Sequence, residues 1–183
     1  MRTEVLLIDE IWMAELPTPY GNIAVAATRA GLMRIAFSDE DRSDLRRELA
    51  PIGVPRDDPD ALAPALSWLR AAIANGPSGP PPPCDLRLVQ TTFAHDVLAA
   101  IGDVPPGETI SYAELASAAG RPRAVRAAAH VCARNPLPVV IGCHRIVRSD
   151  GTIGRYRGGT ALKAHLLSRE AAGRPLSTSD SHR

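Results

Sequence analysis

An α/β N-terminal half built on a small antiparallel sheet, followed by a mainly α C-terminal half that holds a helix-turn-helix, is the fold class this sequence predicts. Three observations predict it. Residues 11–37 alternate and turn like a meander, residues 74–86 (ANGPSGPPPPCDL) carry too much Gly and Pro for helix or central strand, and beyond residue 91 helical spacing and capping residues recur. They divide the chain into an N-terminal domain (1–75), a Pro/Gly-rich linker (76–88), a C-terminal domain (89–173) and a tail (174–183) expected to be disordered.

In order along the chain, strands are expected at Ile11–Glu15, Asn22–Thr28 and Leu32–Phe37, with turns at Pro17–Gly21 and Ala30–Gly31. Helical patterns follow at Asp41–Ala50 and Pro59–Ala74, the second with Leu62, Leu66 and Leu69 at helical spacing. In the second half Thr92 can cap a helix that carries Phe93, Val97, Leu98 and Ile101 on one face and ends at Gly102. Ser111 and Glu114 form a capping box that opens a helix ending at Gly120, and a second helix runs from Pro122 to Arg134, where Asn135-Pro136 breaks it. This pair, residues 111–134, is the helix-turn-helix candidate; any αα-hairpin would look similar. Its second helix adds Arg123, Arg126, His130 and Arg134 to small alanines, a combination that can approach DNA closely.

Composition narrows the function. With 45% hydrophobic and 22% charged residues the chain reads as a soluble globular protein, and its longest uncharged apolar runs fall far short of the roughly 20 residues that span a bilayer. The N-terminal dozen residues support neither a signal nor a transit peptide, so the expected compartment is the cytoplasm. Cys84, Cys132 and Cys143 are widely spaced with no CxxC pair, which argues for reduced thiols and against a disulfide framework or zinc site; no metal and no cofactor are expected. The net charge of +1 conceals an asymmetry: residues 1–62 balance to −5, whereas residues 121–157 hold eight Arg against Asp150 alone. That is either a solvated arginine-rich surface or a phosphate-binding face. Lys163 is the only lysine in the chain.

The stretch VVIGCHRIV, residues 139–147, places Cys143, His144 and Arg145 between apolar runs. A thiolate is the reactive form of cysteine and needs a base, which His144 can supply, though neighbours in an extended strand face opposite ways and contact would require a turn or an intervening water. The run 138–141 reads as a buried strand that delivers the cysteine to such a turn. A lone CHR is compatible with an inert buried cysteine as well.

The stretch RAVRAAAHVCARNPLPVVIGCHRIVRSDGTIGRYRGGTALKAHLLSREAAG resembles the C-terminal domain of the O6-alkylguanine-DNA alkyltransferases, whose signature is Pro-Cys-His-Arg-Val. The match begins near TTFAHDVLAAIGDVPPGETISYAELA and is ungapped through Glu170; residues 12–75 resemble the family's N-terminal domain more weakly, through LPTPYGNIAVAATRAGLMRIAF. The resemblance implies an RNase H-like N-terminal domain and a winged helix-turn-helix C-terminal one. It implies irreversible, single-turnover transfer of an alkyl group from O6-alkylguanine, with O4-alkylthymine as a second candidate substrate, to Cys143 after the base is flipped from double-stranded DNA approached through the minor groove. His144 would deprotonate the thiol through a water and Glu170 would orient His144. Tyr112, Ile146, Tyr156, Gly158 and Lys163 would form the substrate pocket. Arg126 would fill the gap left by the flipped base, with Arg123, Ala127 and His130 beside it on the DNA-facing surface, and Asn135 would act as a hinge. A monomer without an obligate protein partner is expected.

Two departures stand out. Gly142 replaces the signature proline, which adds backbone freedom before the nucleophile, and Phe93-Ala94 with Leu98 replace a family Phe-Gln pair and a following aromatic. A glycine at 158, where some relatives carry a bulky aromatic, predicts tolerance of alkyl groups larger than methyl. Two other functions come from different classes: a non-catalytic lesion binder, against which the presence of Cys143, His144 and Glu170 argues, and an alkylation-response regulator, for which these 183 residues offer no second DNA-binding module.

Overall fold

The computed structural model describes residues 9–173; the expected tail at 174–183 lies outside the described residues. Its first element, β1 (Asp9–Leu16), pairs antiparallel with β2 (Ile23–Thr28), which pairs antiparallel with β3 (Gly31–Ala36). These are the three expected strands. A fourth, β4 (Gly53–Asp57), adds parallel to β1, so the sheet is mixed, in the order β3-β2-β1-β4, rather than antiparallel. Little in the sequence marks β4, because GVPRD is short, carries Pro55 and ends in two charged residues. A strand lacking one N–H can still sit at an edge.

Alternation along β1 and β2 gives the sheet two buried faces. Ile11, Met13 and Ala26 pack with Leu45 and Leu49 of α1 (Arg42–Leu49), whereas Ala14, Leu16, Ile23 and Val25 face the side where α2 (Ala63–Asn75) and the second half of the chain lie. That second cluster is continuous from the sheet through Val97, Ile101, Leu115 and Cys143 to Leu166. The Pro/Gly stretch is fastened across it: Leu32 N–H donates to the Pro83 carbonyl at 2.8 Å, Asp85 N–H to the Leu32 carbonyl at 2.7 Å, and Thr28 Oγ1 to Asp85 at 2.6 Å.

The second half contains α3 (Thr92–Gly102), the two-residue strand β5 (Ile110–Ser111), α4 (Tyr112–Ala118), α5 (Val125–Ala133), a 3₁₀ turn at Cys143–Arg145, β6 (Ile146–Val147) and α6 (Gly159–Ala172). The cap of α3 is Thr91, whose hydroxyl accepts from Ala94 N–H, one residue before the expected Thr92. The Ser111–Glu114 capping box forms as expected. Gly120, at φ 72°, turns the chain after α4, and Arg121 N–H closes the end on the Ala116 carbonyl. The next helix begins at Val125 rather than Pro122, because residues 121–124 form a separate turn in which Ala124 N–H bonds the Arg121 carbonyl. Among the described residues no helix is long and apolar enough to cross a membrane.

Candidate active site

The expected strand at 138–141 does not form. Residues 137–141 make a single turn, with Ile141 N–H on the Leu137 carbonyl at 2.8 Å and Val139 at φ 75°, a conformation that is costly for a β-branched residue. Asn135 holds it in place: its Nδ2 donates to the Ile141 carbonyl at 2.8 Å, and its Oδ1 accepts from Leu137 N–H at 3.0 Å. An apolar, β-branched run bounded by turn signals looks like a buried strand from sequence alone. Here the side chain of one asparagine supplies the hydrogen bonds that a neighbouring strand would have supplied.

A tighter turn follows. Cys143 N–H bonds the Ile141 carbonyl at 2.7 Å around Gly142, whose φ −67° and ψ 51° describe an inverse γ-turn. Cys143, His144 and Arg145 then wind into one 3₁₀ turn, and β6 pairs Ile146 with Ile110 and Val147 with Ser111. Because α4 begins at the next residue, this pairing fixes Tyr112 beside the cysteine turn.

All three residues of the CHR turn are buried. His144 Nε2 meets Glu170 Oε1 at 2.8 Å, and Arg145 grips the same carboxylate, Nε to Oε2 at 3.0 Å and Nη2 to Oε1 at 2.8 Å. Arg145 Nη1 also donates to the Val104 carbonyl at 2.7 Å, and Gly107 N–H donates to Glu170 Oε2 at 3.2 Å. Burial alone would raise the Glu170 pKa, but the hydrogen bonds from His144 and Arg145 outweigh it and bring it down to about 2. An ionised carboxylate only accepts, so the proton on His144 sits on Nε2 and Nδ1 carries the lone pair. Burial lowers the His144 pKa, against the opposing pull of Glu170, so the ring is neutral at neutral pH. Nδ1 is buried and bonds to no protein group among those described.

Cys143 opens onto a cavity of about 360 Å³ that Tyr112, Cys132, Asn135, Arg155 and Tyr156 also line, within the range of small-ligand clefts. Tyr156 stands edge-on to His144, ring centres 6.4 Å apart at 88°, and its buried hydroxyl has no protein partner among the described residues. Cys132 lies against Cys143, its Sγ 3.8 Å from the Cys143 carbonyl. The hydrogen bond from Cys132 holds the Cys143 thiol below its ordinary value, against the burial that raises it, with further lowering from the Asn135 side chain and the charge of Lys163. The same bond, with burial, pushes the Cys132 thiol up. Lys163 is the largest fully buried side chain and donates Nζ to the Ile146 carbonyl at 2.6 Å; burial lowers its pKa.

The expected site residues therefore gather unevenly. Cys143, His144, Glu170, Tyr112, Tyr156 and Asn135 surround one cavity or its back wall. Ile146 is fully buried and meets the site through its carbonyl on Lys163, while Gly158 lies within the turn that the Gly159 N–H closes on the Tyr156 carbonyl at 3.0 Å. Arg123, Arg126, Ala127 and His130 are exposed and form one outward stripe, whose helix α5 reaches the cavity at Cys132 and Ala133. Sequence reasoning gave Arg145 only a charge and left Cys132 without a role; both prove to be parts of the site. Among the described residues no group of three or more His, Cys, Asp or Glu could hold a metal ion.

Comparison with known proteins agrees with this geometry. Residues 92–172 match the family described as 6-O-methylguanine DNA methyltransferase, DNA binding domain. The chain is 40% identical over 154 residues to the Escherichia coli bifunctional transcriptional activator/DNA repair enzyme Ada, covering 82% of this chain but only 43% of that protein. It is 35% identical over 175 residues to the mouse methylated-DNA–protein-cysteine methyltransferase, covering 88% of this chain and 83% of the mouse protein. The crystal structure of the Mycobacterium tuberculosis O6-methylguanine methyltransferase superposes with a TM-score of 0.76 at 28% identity, over 91% of this chain and 96% of that one, and the same protein in complex with DNA with 0.74 at 27%. With most of its length aligned to the mouse protein, and with its cysteine turn, cavity and fold in place, the chain belongs to the methylated-DNA–protein-cysteine methyltransferase family.

Proposed function

We propose that this chain reverses alkylation damage by moving the alkyl group of O6-alkylguanine in DNA onto Cys143, irreversibly and once per molecule. One observation carries the reading: His144, its Nε2 on the Glu170 carboxylate 2.8 Å away, keeps a buried Nδ1 that no described protein group bonds, in the same turn as a cysteine that lines a cavity. The proton of the Cys143 thiol passes through a water to His144 Nδ1. The sulfur lone pair then forms the S–C bond as the C–O6 bond breaks, and the released electron pair leaves on guanine O6 and N1, which take up one proton. Thiol plus alkylguanine become thioether plus guanine, and no cofactor enters the balance.

The remaining residues fit this chemistry. Tyr112, half-buried at the cavity, faces the guanine and its phosphate, and Lys163 polarises the pocket from behind through the carbonyl of Ile146. We read α4–α5 with the short β5–β6 ladder as a winged helix-turn-helix, and the N-terminal sheet as RNase H-like. Exposed Arg126 on α5 fills the gap left by the extruded base, which offsets part of the few kcal/mol lost in unstacking. Arg123, Ala127 and His130 extend the same face, and the small residues suit a minor groove. A monomer suffices, since every reacting group lies on one chain.

Incubation with a duplex containing O6-methylguanine at equimolar lesion, followed by peptide mass mapping, tests the reading. A 14-dalton gain on Cys143 is expected, lost in Cys143→Ser, which still binds DNA; an unmodified Cys143 rejects it.

A further inference from the structure

The absence of a side chain at position 158 does not leave open space. A Cβ built there would lie 2.6 Å from Phe37 Cε1, 2.7 Å from Phe37 Cζ and 2.8 Å from Leu162 Cδ2. The volume that a bulkier residue would occupy is already filled, and the larger part of the filling comes from the other half of the chain, from the residue that follows β3. Phe37 is 4% exposed. Its ring meets Tyr156 edge-on with centres 6.0 Å apart at 61°, and Tyr156 in turn stands against His144 and lines the cavity with Cys143.

Phe37 is also held where it stands. Its backbone N–H donates to Glu40 Oε1 at 3.0 Å, and Glu40 Oε2 faces Arg157 Nη1 at 3.6 Å, beside Tyr156. One residue pair earlier, Ile35 N–H donates to the Pro136 carbonyl at 2.8 Å, at the start of the turn that Asn135 fastens. The end of β3 therefore touches both walls of the cavity, the 135–141 turn and the 156–158 loop.

We propose that Phe37 is a positioning residue for substrate size: it backs Tyr156, and through Tyr156 it sets how large an O6 substituent the pocket beside Cys143 admits. The inference rests on the alkyl-transfer reading. A ring packed at core density cannot recede, so a group longer than methyl must displace Tyr156 against Phe37. Shortening Phe37 leaves a cavity behind Tyr156 into which the wall retreats. Glycine at 158 is then required by the Phe37 ring and by itself opens nothing, which replaces the simpler expectation that Gly158 alone confers tolerance of large adducts.

The test compares single-turnover transfer from duplexes carrying O6-methylguanine and O6-benzylguanine by the full chain, Phe37→Leu and Phe37→Ala. The benzyl-to-methyl rate ratio is expected to rise about tenfold in Phe37→Ala, with Phe37→Leu between. General loosening would slow both substrates and leave the ratio alone. A second arm builds Gly158→Ala, which slows transfer in the parent and is rescued when Phe37→Ala is added. An unchanged ratio in a parent and variants that transfer methyl overturns the role of Phe37 and leaves the repair reading standing; a parent that transfers no methyl overturns both. Should Phe37→Ala fail to fold, the Phe37→Leu ratio decides.

Discussion

The guanidinium of Arg145 occupies the volume that a side chain at position 142 would fill: a Cβ on Gly142 would lie 2.7 Å from Arg145 Cζ and 2.8 Å from Nε and Nη1. This changes the meaning of the glycine. Its φ of −67° is the value a proline would be locked to, and flanking hydrogen bonds to Ile141 and from Arg145 hold it there. The glycine thus supplies space rather than freedom. The space lets Arg145 lie flat against the turn while forking onto Glu170.

Gly142→Ala and Gly142→Pro are accordingly expected to destabilise the protein by about 1–3 kcal/mol, the cost of overpacking, since the atoms in the way belong to a side chain pinned at three points. Denaturant unfolding measures it. Equal or greater stability in Gly142→Pro would show that Arg145 moves aside freely and that the glycine is dispensable.

Glu170→Gln removes the only negative charge that Arg145 and His144 contact among the described residues and leaves a guanidinium buried without that counter-charge. A loss of about 3–5 kcal/mol is expected, together with slower methyl transfer. Acid should reproduce part of this. The folded Glu170 pKa of about 2 lies below its ordinary 4.5, so its stabilisation is complete above pH 4.5 and disappears as pH falls through about 2, about 3 kcal/mol in all. Acid titration of the parent against Glu170→Gln, followed by near-UV circular dichroism, isolates that term; parallel curves would refute it.

Transfer itself should hold to lower pH than a free imidazole allows. Burial lowers the His144 pKa below 6.5, the base must be neutral, and so the acid limb of the rate profile is expected below pH 6.5. A limb at or above 6.5 in single-turnover rates would mean that burial does not lower His144 below the ordinary imidazole value.

Asn135→Ala leaves the Leu137 N–H unpaired in the interior and the Ile141 carbonyl with the Cys143 N–H alone, and it removes what holds Val139 at positive φ. We expect a loss of about 2–4 kcal/mol and at least tenfold slower transfer, because the turn that carries Cys143 loosens. Asn135→Asp, which keeps the acceptor and loses the donor, should fall between. Unfolding and single-turnover rates on the three proteins check the order.

The parts of the fold visible in the sequence are those governed by neighbours along the chain. Alternation marked β1 to β3, and the Ser111–Glu114 box marked α4, because side-chain period and capping act within a few residues. The 137–141 turn was hidden because the deciding hydrogen bonds come from one asparagine side chain, while the local composition favours a strand. Arg145 was hidden differently. Among the arginines of the basic half it was indistinguishable from a surface charge, and only the fold shows it buried on a carboxylate 25 residues away. Phe37 could not have been found at all without the packing of the end of β3 against the second half of the chain.

Cys132 offers the last test. On α5 it reads as a small buried residue, yet its Sγ lies 3.8 Å from the Cys143 carbonyl, and hydrogen bonding from its side chain is the foremost cause of the lowered Cys143 thiol. Removing the donor in Cys132→Ala should raise the Cys143 pKa and slow transfer at neutral pH, where less thiolate forms. Serine restores a donor at the same place, so Cys132→Ser should return the titration toward the parent value. Iodoacetamide labelling of Cys143 across pH, read by peptide mass, gives the midpoint directly. If alanine and serine shift it equally, the loss comes from packing at α5 and not from the hydrogen bond. If neither shifts it, Lys163 and Asn135 alone hold the thiol down.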